Sequence, residues 1–386
     1  MSRPVRNHGV LATAALFGLN GLLMGSFATR IPDLKHGLHA TDGAFGLALI
    51  GATVGAVGLA GPAGAAVARY GAGRVARLSV VGTPVAMLLL PIAGTLTAFG
   101  GLLVLFGAAA VTLNTAANSM AADVERLLDR SVMSRMHALY SSGGLVGAVT
   151  GGLAATTGRT ATTQFAALTV LCLAVSISVR DSRIPVPRRA PEPAVGAIRP
   201  VRSRPAMLLA AMAFCFYVAE AAIDDWSAIY LHDALAAPAA LVGAGYGAFS
   251  VTMAIGRLFG DRVIDAIGAV RAVRIGSLLA GAALALGVSM RTLPAAIAGF
   301  ALFGLGMCIV APACYGAAGR HGNHMIARVT ATGHIGLLIG PAAIGGLSHL
   351  SGLRTAMLVP GALALLIAAS ATAVSPVGHA KVRELL

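Results

Sequence analysis

Three carboxylic acids fall inside a long apolar stretch of the chain. The stretch runs from Ala211 to Leu231, reads AMAFCFYVAEAAIDDWSAIYL, and carries Glu220, Asp224 and Asp225. An ionisable side chain inside a membrane segment is energetically costly, and it is a functional-site hypothesis when a partner or a wet cavity is available. Desolvation disfavours the charged form of a carboxyl group, so an acid at this depth can take up and release protons.

Helical spacing separates the roles of these acids. Tyr217, Glu220 and Asp224 stand at i, i+3 and i+7 and therefore share one helix face. With a membrane boundary near Met207, Glu220 lies about 20 Å along the helix, whereas Asp224 and Asp225 approach the far surface. We expect Glu220 and Asp224 to carry protons, with Tyr217 bonded to Glu220. A structural acid and an interfacial helix end are the alternatives.

The composition is that of a protein that crosses a membrane many times. Of the 386 residues, 57% are hydrophobic and only 11% are charged, whereas soluble domains are about 25% charged. The basic residues behind the net charge of +14 lie between apolar runs, which does not indicate nucleic-acid binding. A membrane helix needs about 20 apolar residues, and twelve runs qualify: 9–29, 44–67, 75–94, 98–120, 134–156, 160–179, 206–229, 240–262, 270–290, 293–316, 325–348 and 353–374.

A polar insert divides these runs into two groups of six. Residues 180–204 are rich in Pro and Arg, which predicts an extended linker between an N-terminal half, 1–179, and a C-terminal half, 205–386. Most of the 28 Lys and Arg residues, Arg257 among them, fall on the side that holds both termini. The positive-inside rule makes that side cytoplasmic. We expect a multi-pass protein of the bacterial inner membrane.

The two halves repeat one another. A shift of 197 residues aligns 71–77, GAGRVAR, with 268–274, GAVRAVR, and Leu-Phe-Gly at 105–107 with Leu-Phe-Gly at 302–304. The alternative, chance similarity between Gly- and Ala-rich helices, is weakened because charged and Gly positions keep register. Two related halves of six helices are typical of transporters that bind their solute between the halves. The sequence thus predicts an all-α membrane protein with twelve transmembrane helices in two pseudo-symmetric halves.

The halves together resemble the major facilitator superfamily. Its loop pattern after the second span, G-x-x-x-D-R-x-G-R-R, is matched here by Gly64, Arg69, Gly71 and Arg74, with Ala68 in place of the acid. Segments 27–33, 136–141 and 225–231 are similar to a bacterial branch distantly related to sugar permeases. The resemblance implies alternating access by rocking of the halves around a central cavity.

That resemblance also implies which spans line the cavity. Spans one, four, seven and ten do so in this superfamily, which would place Asn20, Asn114 and Asn118 in the same space as Glu220. Each amide could instead bond a neighbouring helix. Imidazole titrates near neutral pH, so His334 could relay protons with Glu220, although a buried neutral histidine is the alternative. The cavity residues expected here are Asn20, Asn114, Asn118, Tyr217 and Tyr140.

Charges near the cytoplasmic ends of the helices suggest a gate. We expect Asp123 to pair with Arg69 or Arg74 in one half and Asp265 to pair with Arg320 in the other. Such pairs would hold this end closed in the outward-facing state. Solvated loop charges worth about 0–1 kcal/mol are the alternative.

Motifs for other kinds of chemistry are missing. The chain has no HExxH, Walker or GxGxxG motif, so we expect neither an enzyme nor ATP-driven transport. Its four cysteines form no CxxC pair or Cys/His cluster, and no metal and no cofactor are expected. Residues 143–152, GGLVGAVTGG, look like an element of superfamily exporters with Ala148 in place of Pro, although small residues also serve close helix packing.

The sequence therefore predicts a secondary active transporter of a small organic solute, coupled to protons and working in efflux. A proton-coupled uptake symporter of a sugar-like solute is the first alternative. A membrane sensor or scaffold that transports nothing is the second. The expected partners are the solute, protons and the lipid bilayer, with no nucleic acid, and the expected state is a monomer.

Overall fold

The computed structural model describes residues 3–128, 132–178, 204–320 and 323–375, and these residues are helical almost throughout. The helices are α1 Arg3–Gly37, α2 Asp42–Tyr70, α3 Ala72–Leu89, α4 Leu96–Leu128, α5 Met133–Thr156, α6 Ala161–Ser178, α7 Arg204–Ile229, α8 Ala244–Ile267, α9 Ala269–Ser289, α10 Leu293–Met307, α11 Val310–Arg320, α12 Asn323–Ser351, α13 Leu353–Ala356 and α14 Val359–Ser370. Helices α10 and α11 together form one span, and so do α13 and α14, because only a short break separates the members of each pair. Counted in this way, the described residues contain the twelve predicted spans. The predicted fold class is confirmed.

Ten helical segments in the described ranges are long and apolar enough to cross a membrane, and a shorter apolar helix covers Ala161–Ile177. Five residues of π-helix, Tyr230–Ala234, extend α7 beyond its end. Almost all of the predicted linker lies outside the described residues, so the boundaries of the two halves stay a prediction.

Two spans are interrupted just before a proline. The tenth span breaks between α10 and α11 at Cys308, and the twelfth breaks after Ala356. Proline has no N–H to donate to the carbonyl four residues earlier. Pro312 and Pro360 stand four residues after Cys308 and Ala356, so each break falls at the carbonyl that lost its donor.

The internal repeat is visible in the turns. Gly71 ends α2 and Gly268 ends α8, with φ angles of 88° and 81°. Side chains other than glycine rarely adopt this conformation. Each glycine N–H donates to a carbonyl four residues earlier, that of Val67 at 2.9 Å and that of Ile264 at 2.8 Å. All four residues are related by the predicted 197-residue shift.

The repeat is equally visible in the packing. Gly107 of α4 lies against the Ala52 carbonyl of α2, and Gly304 of α10 lies against the Phe249 carbonyl of α8. The same shift relates both pairs. A Cβ atom at either glycine would overlap the carbonyl it faces, so the close approach of these helices requires glycine.

The two halves meet near one end of the bundle, which we call the closed end. Here α1 ends, α2 begins and the π-helix follows α7. Gly46 of α2 packs against Pro341 and Gly345 of α12, and Gly152 of α5 packs against Ala240. The opposite end, which carries the turns at Gly71 and Gly268, is the open end.

Candidate functional site

An ion pair joins α7 and α8. The Oε1 atom of Glu220 lies 3.6 Å from Nη2 of Arg257, and the side chains are 20% and 43% exposed. Arg257 falls inside the candidate membrane span Ala239–Gly260. The sequence suggested no partner for Glu220 and used Arg257 only in assigning topology, so this pair was not predicted; the topology assignment itself stays a prediction. Only the packing of α7 on α8 brings the two charges together.

Tyrosines from both halves surround this ion pair. Tyr140 of α5 and Tyr246 of α8 lie within electrostatic range of Glu220 and Asp224. Gly144 of α5 lies against Tyr246, so the two halves touch at this point. The site therefore combines two carboxyl groups, a guanidinium and two phenols where the halves meet. The predicted roles of Tyr140 in a cavity and of Asp224 in proton transfer stay predictions.

Tyr217 does not bond Glu220 as expected. Its hydroxyl lies 3.0 Å from the hydroxyl of Tyr315 on α11, and its ring lies against Gly333 of α12. Tyr217 thus links α7 to two other helices of the second half. Its Tyr315 partner is a polar group that the sequence analysis missed.

The two asparagines of α4 bond each other. The Asn118 amide donates to the backbone carbonyl of Asn114 at 2.8 Å and to its side-chain oxygen at 3.0 Å. Asn114 is exposed, whereas Asn20 of α1 is buried. The two amides of α4 thus bond within one helix, and a place for them and Asn20 in a solute cavity stays a prediction.

His334 is exposed on α12. It adjoins Gly333, which packs on Tyr217, yet no hydrogen bond joins His334 to Glu220 within the described part of the chain. The proton relay between them stays a prediction.

The expected gate residues collect at the open end. Arg69, Arg74 and Asp265 are exposed, and Asp123 of α4 is partly buried. The Arg320 side chain lies outside the described residues. The two gate pairs therefore stay predictions for a state in which this end is closed.

A charge network at the closed end was not anticipated. Nζ of Lys35 on α1 lies 2.7 Å from Asp233 after α7 and 2.5 Å from Asp42 on α2. Asp42 also accepts a hydrogen bond from Ser348 of α12. The Lys35 side chain is only 8% exposed, so this cation is held between two carboxylates. The network joins the first half to the second.

A signal for this network was present in the repeat. The 197-residue shift aligns Lys35 and His36 with His232 and Asp233. Equivalent positions at the ends of α1 and α7 meet where the halves touch, so charged groups at such positions predict an inter-half contact.

The glycines of α5 serve helix packing. Gly143 lies against the Gly18 carbonyl and Gly147 against the Leu22 carbonyl of α1, and Gly151 lies against Thr29. These contacts explain the spacing of small residues without reference to the direction of transport.

A family model agrees with this architecture. The model described as Major Facilitator Superfamily matches residues 13–318 and 226–384. An uncharacterised MFS-type transporter of Yersinia pestis is 31% identical over 372 residues, which cover 95% of this chain and 95% of that protein. The membrane protein MosC of Rhizobium meliloti is 28% identical over 374 residues, covering 95% of this chain and 90% of MosC.

Solved structures show the same fold. A bacterial homologue of the human lysosomal transporter Spinster, inward-facing and occupied, superposes with a TM-score of 0.75 at 14% identity, covering 97% of each chain. The nucleoside transporter NupG gives a TM-score of 0.70 at 13% identity, covering 94% of this chain and 98% of NupG.

Proposed function

Because the chain belongs to the Major Facilitator Superfamily, we propose that it is a proton-coupled secondary transporter that exports a small organic solute by alternating access. Membership itself makes it a multi-pass membrane transporter and not an enzyme. Proton coupling, direction and solute go beyond membership. The observation that supports proton coupling is the ion pair of Glu220 with Arg257.

The ion pair gives Glu220 two distinct states. When Glu220 is ionised, Arg257 balances its charge at 3.6 Å, and the pair costs less to keep in a low-dielectric interior than either charge alone. When Glu220 takes up a proton, the guanidinium loses its counter-charge and becomes free for another acceptor. Protonation therefore changes what the cavity presents to a solute.

Asp224 is the second proton carrier that we propose. It stands one helical turn from Glu220, towards the closed end, on the same helix face. Its charge, like that of Glu220, acts on Tyr140 and Tyr246. A proton entering when the closed end opens would meet Asp224 before Glu220.

The amide and phenol groups supply the proposed solute contacts. In this proposal Asn114, Asn118, Tyr140 and Tyr217 offer neutral donors and acceptors to the solute, and Asn20 would join them if the first half rearranges. Export is supported by the resemblance of residues 143–152 to an element of superfamily exporters. The bacterial relatives support a bacterial inner membrane.

The deciding experiment uses purified protein in proteoliposomes. A thermal-shift screen against metabolites and antibiotics first supplies a solute, because a ligand of the native state raises apparent stability. A pH gradient should then drive that solute in wild-type vesicles. Glu220→Gln should lower this driven transport by ~10-fold or more, because the coupling acid no longer ionises. Solute exchange at equal pH should continue, since exchange needs no net proton movement.

Asp225→Asn is the matched control, because Asp225 neighbours Asp224 and projects about 140° away from Glu220 at about 100° per residue. It should leave driven transport within about twofold of wild type. Normal driven transport by Glu220→Gln would contradict Glu220 as the coupling acid. Solute entry with protons would establish the uptake symporter, and a bound solute that never crosses would establish the sensor.

A further inference from the structure

Two histidines and an aspartate converge at the closed end, away from the proposed transport site. His36 lies near the end of α1, and His232 and Asp233 lie in the π-helix Tyr230–Ala234 after α7. The Asp233 Oδ1 atom is 3.1 Å from Nε2 of His36 and 2.7 Å from Nδ1 of His232. All three ligand atoms lie within 4.8 Å of one another.

We propose that this cluster binds a divalent transition-metal ion of the zinc type across the two halves, and that the bound ion holds the closed end shut. Zinc is commonly bound by imidazole nitrogen and carboxylate oxygen, with water completing a tetrahedron. Bonds of about 2.0–2.2 Å at tetrahedral angles place ligand atoms about 3.3 Å apart. The two imidazole nitrogens lie 3.1 and 2.7 Å from Oδ1 of Asp233, close to this spacing, and all three atoms lie within 4.8 Å of one another.

The local charges fit a cation. Lys35 lies between Asp42 and Asp233 and donates a hydrogen bond to Oδ2 of Asp233. The other oxygen of Asp233, Oδ1, faces the two histidines and would bind the ion. One ammonium and two carboxylates sum to a charge of −1, so a divalent ion brings the group to +1. The alternative without a metal is a pair of imidazoles hydrogen-bonded to Asp233.

The site is open to solvent. The His36 side chain is 49% exposed and the His232 side chain 39% exposed, so an ion can enter and water can fill the remaining coordination position. The imidazole nitrogens that face Asp233 must lose or transfer their protons when the ion binds, because metal ligands are deprotonated. Metal binding should therefore weaken as pH falls.

The ligands come from two halves, and this gives the ion its effect. His36 belongs to the first half, whereas His232 and Asp233 belong to the second, so the complete site exists only while the closed end is shut. A ligand that binds one conformation better shifts the population towards it. This arrest of transport rests on the proposed alternating access, whereas the binding of the ion does not.

Sequence spacing could not suggest this site. His36 and His232 are far apart in the chain, and neither belongs to a short Cys/His motif. The repeat places them at neighbouring equivalent positions, and the fold brings them together.

Zinc binding is measured first, on purified protein whose affinity tag has been removed. Equilibrium dialysis against Zn²⁺ should give one bound equivalent, and dialysis against Mg²⁺ should give none. A variant with both His36→Ala and His232→Ala should lose that equivalent. His349→Ala is the matched control, because His349 is exposed near the same end on α12 and should leave binding unchanged. Equal zinc binding by the double variant and wild type would overturn the site.

Transport is measured second, with the solute from the thermal-shift screen. Saturating Zn²⁺ should lower wild-type exchange at least tenfold and leave exchange by the double variant within twofold of its zinc-free rate. Zinc that binds without slowing exchange would overturn the arrest. If Glu220→Gln shows normal pH-driven transport while Zn²⁺ still slows wild-type exchange and not that of the double variant, the proton-coupling proposal fails and the metal site stands.

Discussion

Arg257 is the counter-charge on which the ionisation of Glu220 depends. A carboxylate and a guanidinium at 3.6 Å on neighbouring helices form a pair whose charges balance only while both are ionised. Since Arg257 is 43% exposed, the contribution of the pair to the stability of the fold is modest. The ion pair affects the protonation of Glu220 more than it affects the stability of the fold.

We expect Arg257→Gln to behave like Glu220→Gln. Without its counter-charge, Glu220 is harder to ionise in this environment, so pH-driven transport should fall by ~10-fold or more while exchange continues. Arg257→Lys should restore part of the driven transport, because it keeps the positive charge. Both are measured in proteoliposomes with and without a pH gradient.

Arg262→Gln is the control for this prediction. Arg262 is an exposed residue further along α8 and lies over the Phe259 ring at 5.6 Å, so its loss should leave driven transport unchanged. A fall in exchange as well as driven transport in Arg257→Gln would show that Arg257 binds solute and does not merely balance Glu220.

At the level of helices, contacts through glycine hold each half together. Gly107 and Gly304 bring α4 onto α2 and α10 onto α8, and Gly143 and Gly147 bring α5 onto α1. Backbones this close leave little room for helices to slide, because any side chain at these positions would overlap the neighbouring carbonyl. Movement is therefore expected between the halves, at the ends of the helices, where charges such as Asp265 lie exposed.

The gate at the open end provides a test of this movement. Asp265→Asn should favour the conformation in which this end is open, because it removes one partner of the proposed pair with Arg320. A surface ion pair contributes ~1 kcal/mol at most, so the expected shift in accessibility is about fivefold or less. It is measured as the labelling rate of a cysteine introduced at Asn114 in a background without native cysteines.

Charge reversal supplies the control for the gate. Asp265→Arg combined with Arg320→Asp should return the labelling rate towards that of the background protein, whereas each reversal alone should raise it. If the double reversal labels as fast as the single variants, Asp265 and Arg320 do not pair.

Among the described residues, the two halves are joined by charged groups at one end, whereas charged groups are exposed at the other. Lys35 and its two carboxylate partners join the halves at the closed end, whereas Arg69, Arg74 and Asp265 are exposed at the open end. If the termini are cytoplasmic, as the basic residues predict, this conformation faces inward. The network at Lys35 is then the contact that must break before the carrier can face outward.

Cysteine labelling of whole cells tests this orientation. In a background without native cysteines, Ser203→Cys in the linker should be protected from an impermeant thiol reagent. Thr41→Cys, exposed beside the closed end, should be labelled from outside. Labelling of Ser203→Cys and protection of Thr41→Cys would invert the topology and place the metal cluster in the cytoplasm.

The number of spans, the repeat and the position of Glu220 inside an apolar run could all be predicted from the sequence. Each depends on local chain properties: the length of apolar runs, the recurrence of Gly and Arg at a fixed shift, and the rise of a helix per residue. The equivalence of Gly71 with Gly268 could be predicted for the same reason, since a turn is encoded by a few consecutive residues.

Which side chains meet depends on how the helices pack against one another. Arg257 reaches Glu220 because α8 packs on α7, and Lys35 reaches Asp233 across 198 residues because the two halves touch at one end. Nothing in the periodicity of a single helix fixes such contacts, since they depend on the rotation and tilt with which helices pack. The sequence could therefore identify Glu220 as a candidate, but not the arginine that balances its charge or the histidines that converge on Asp233.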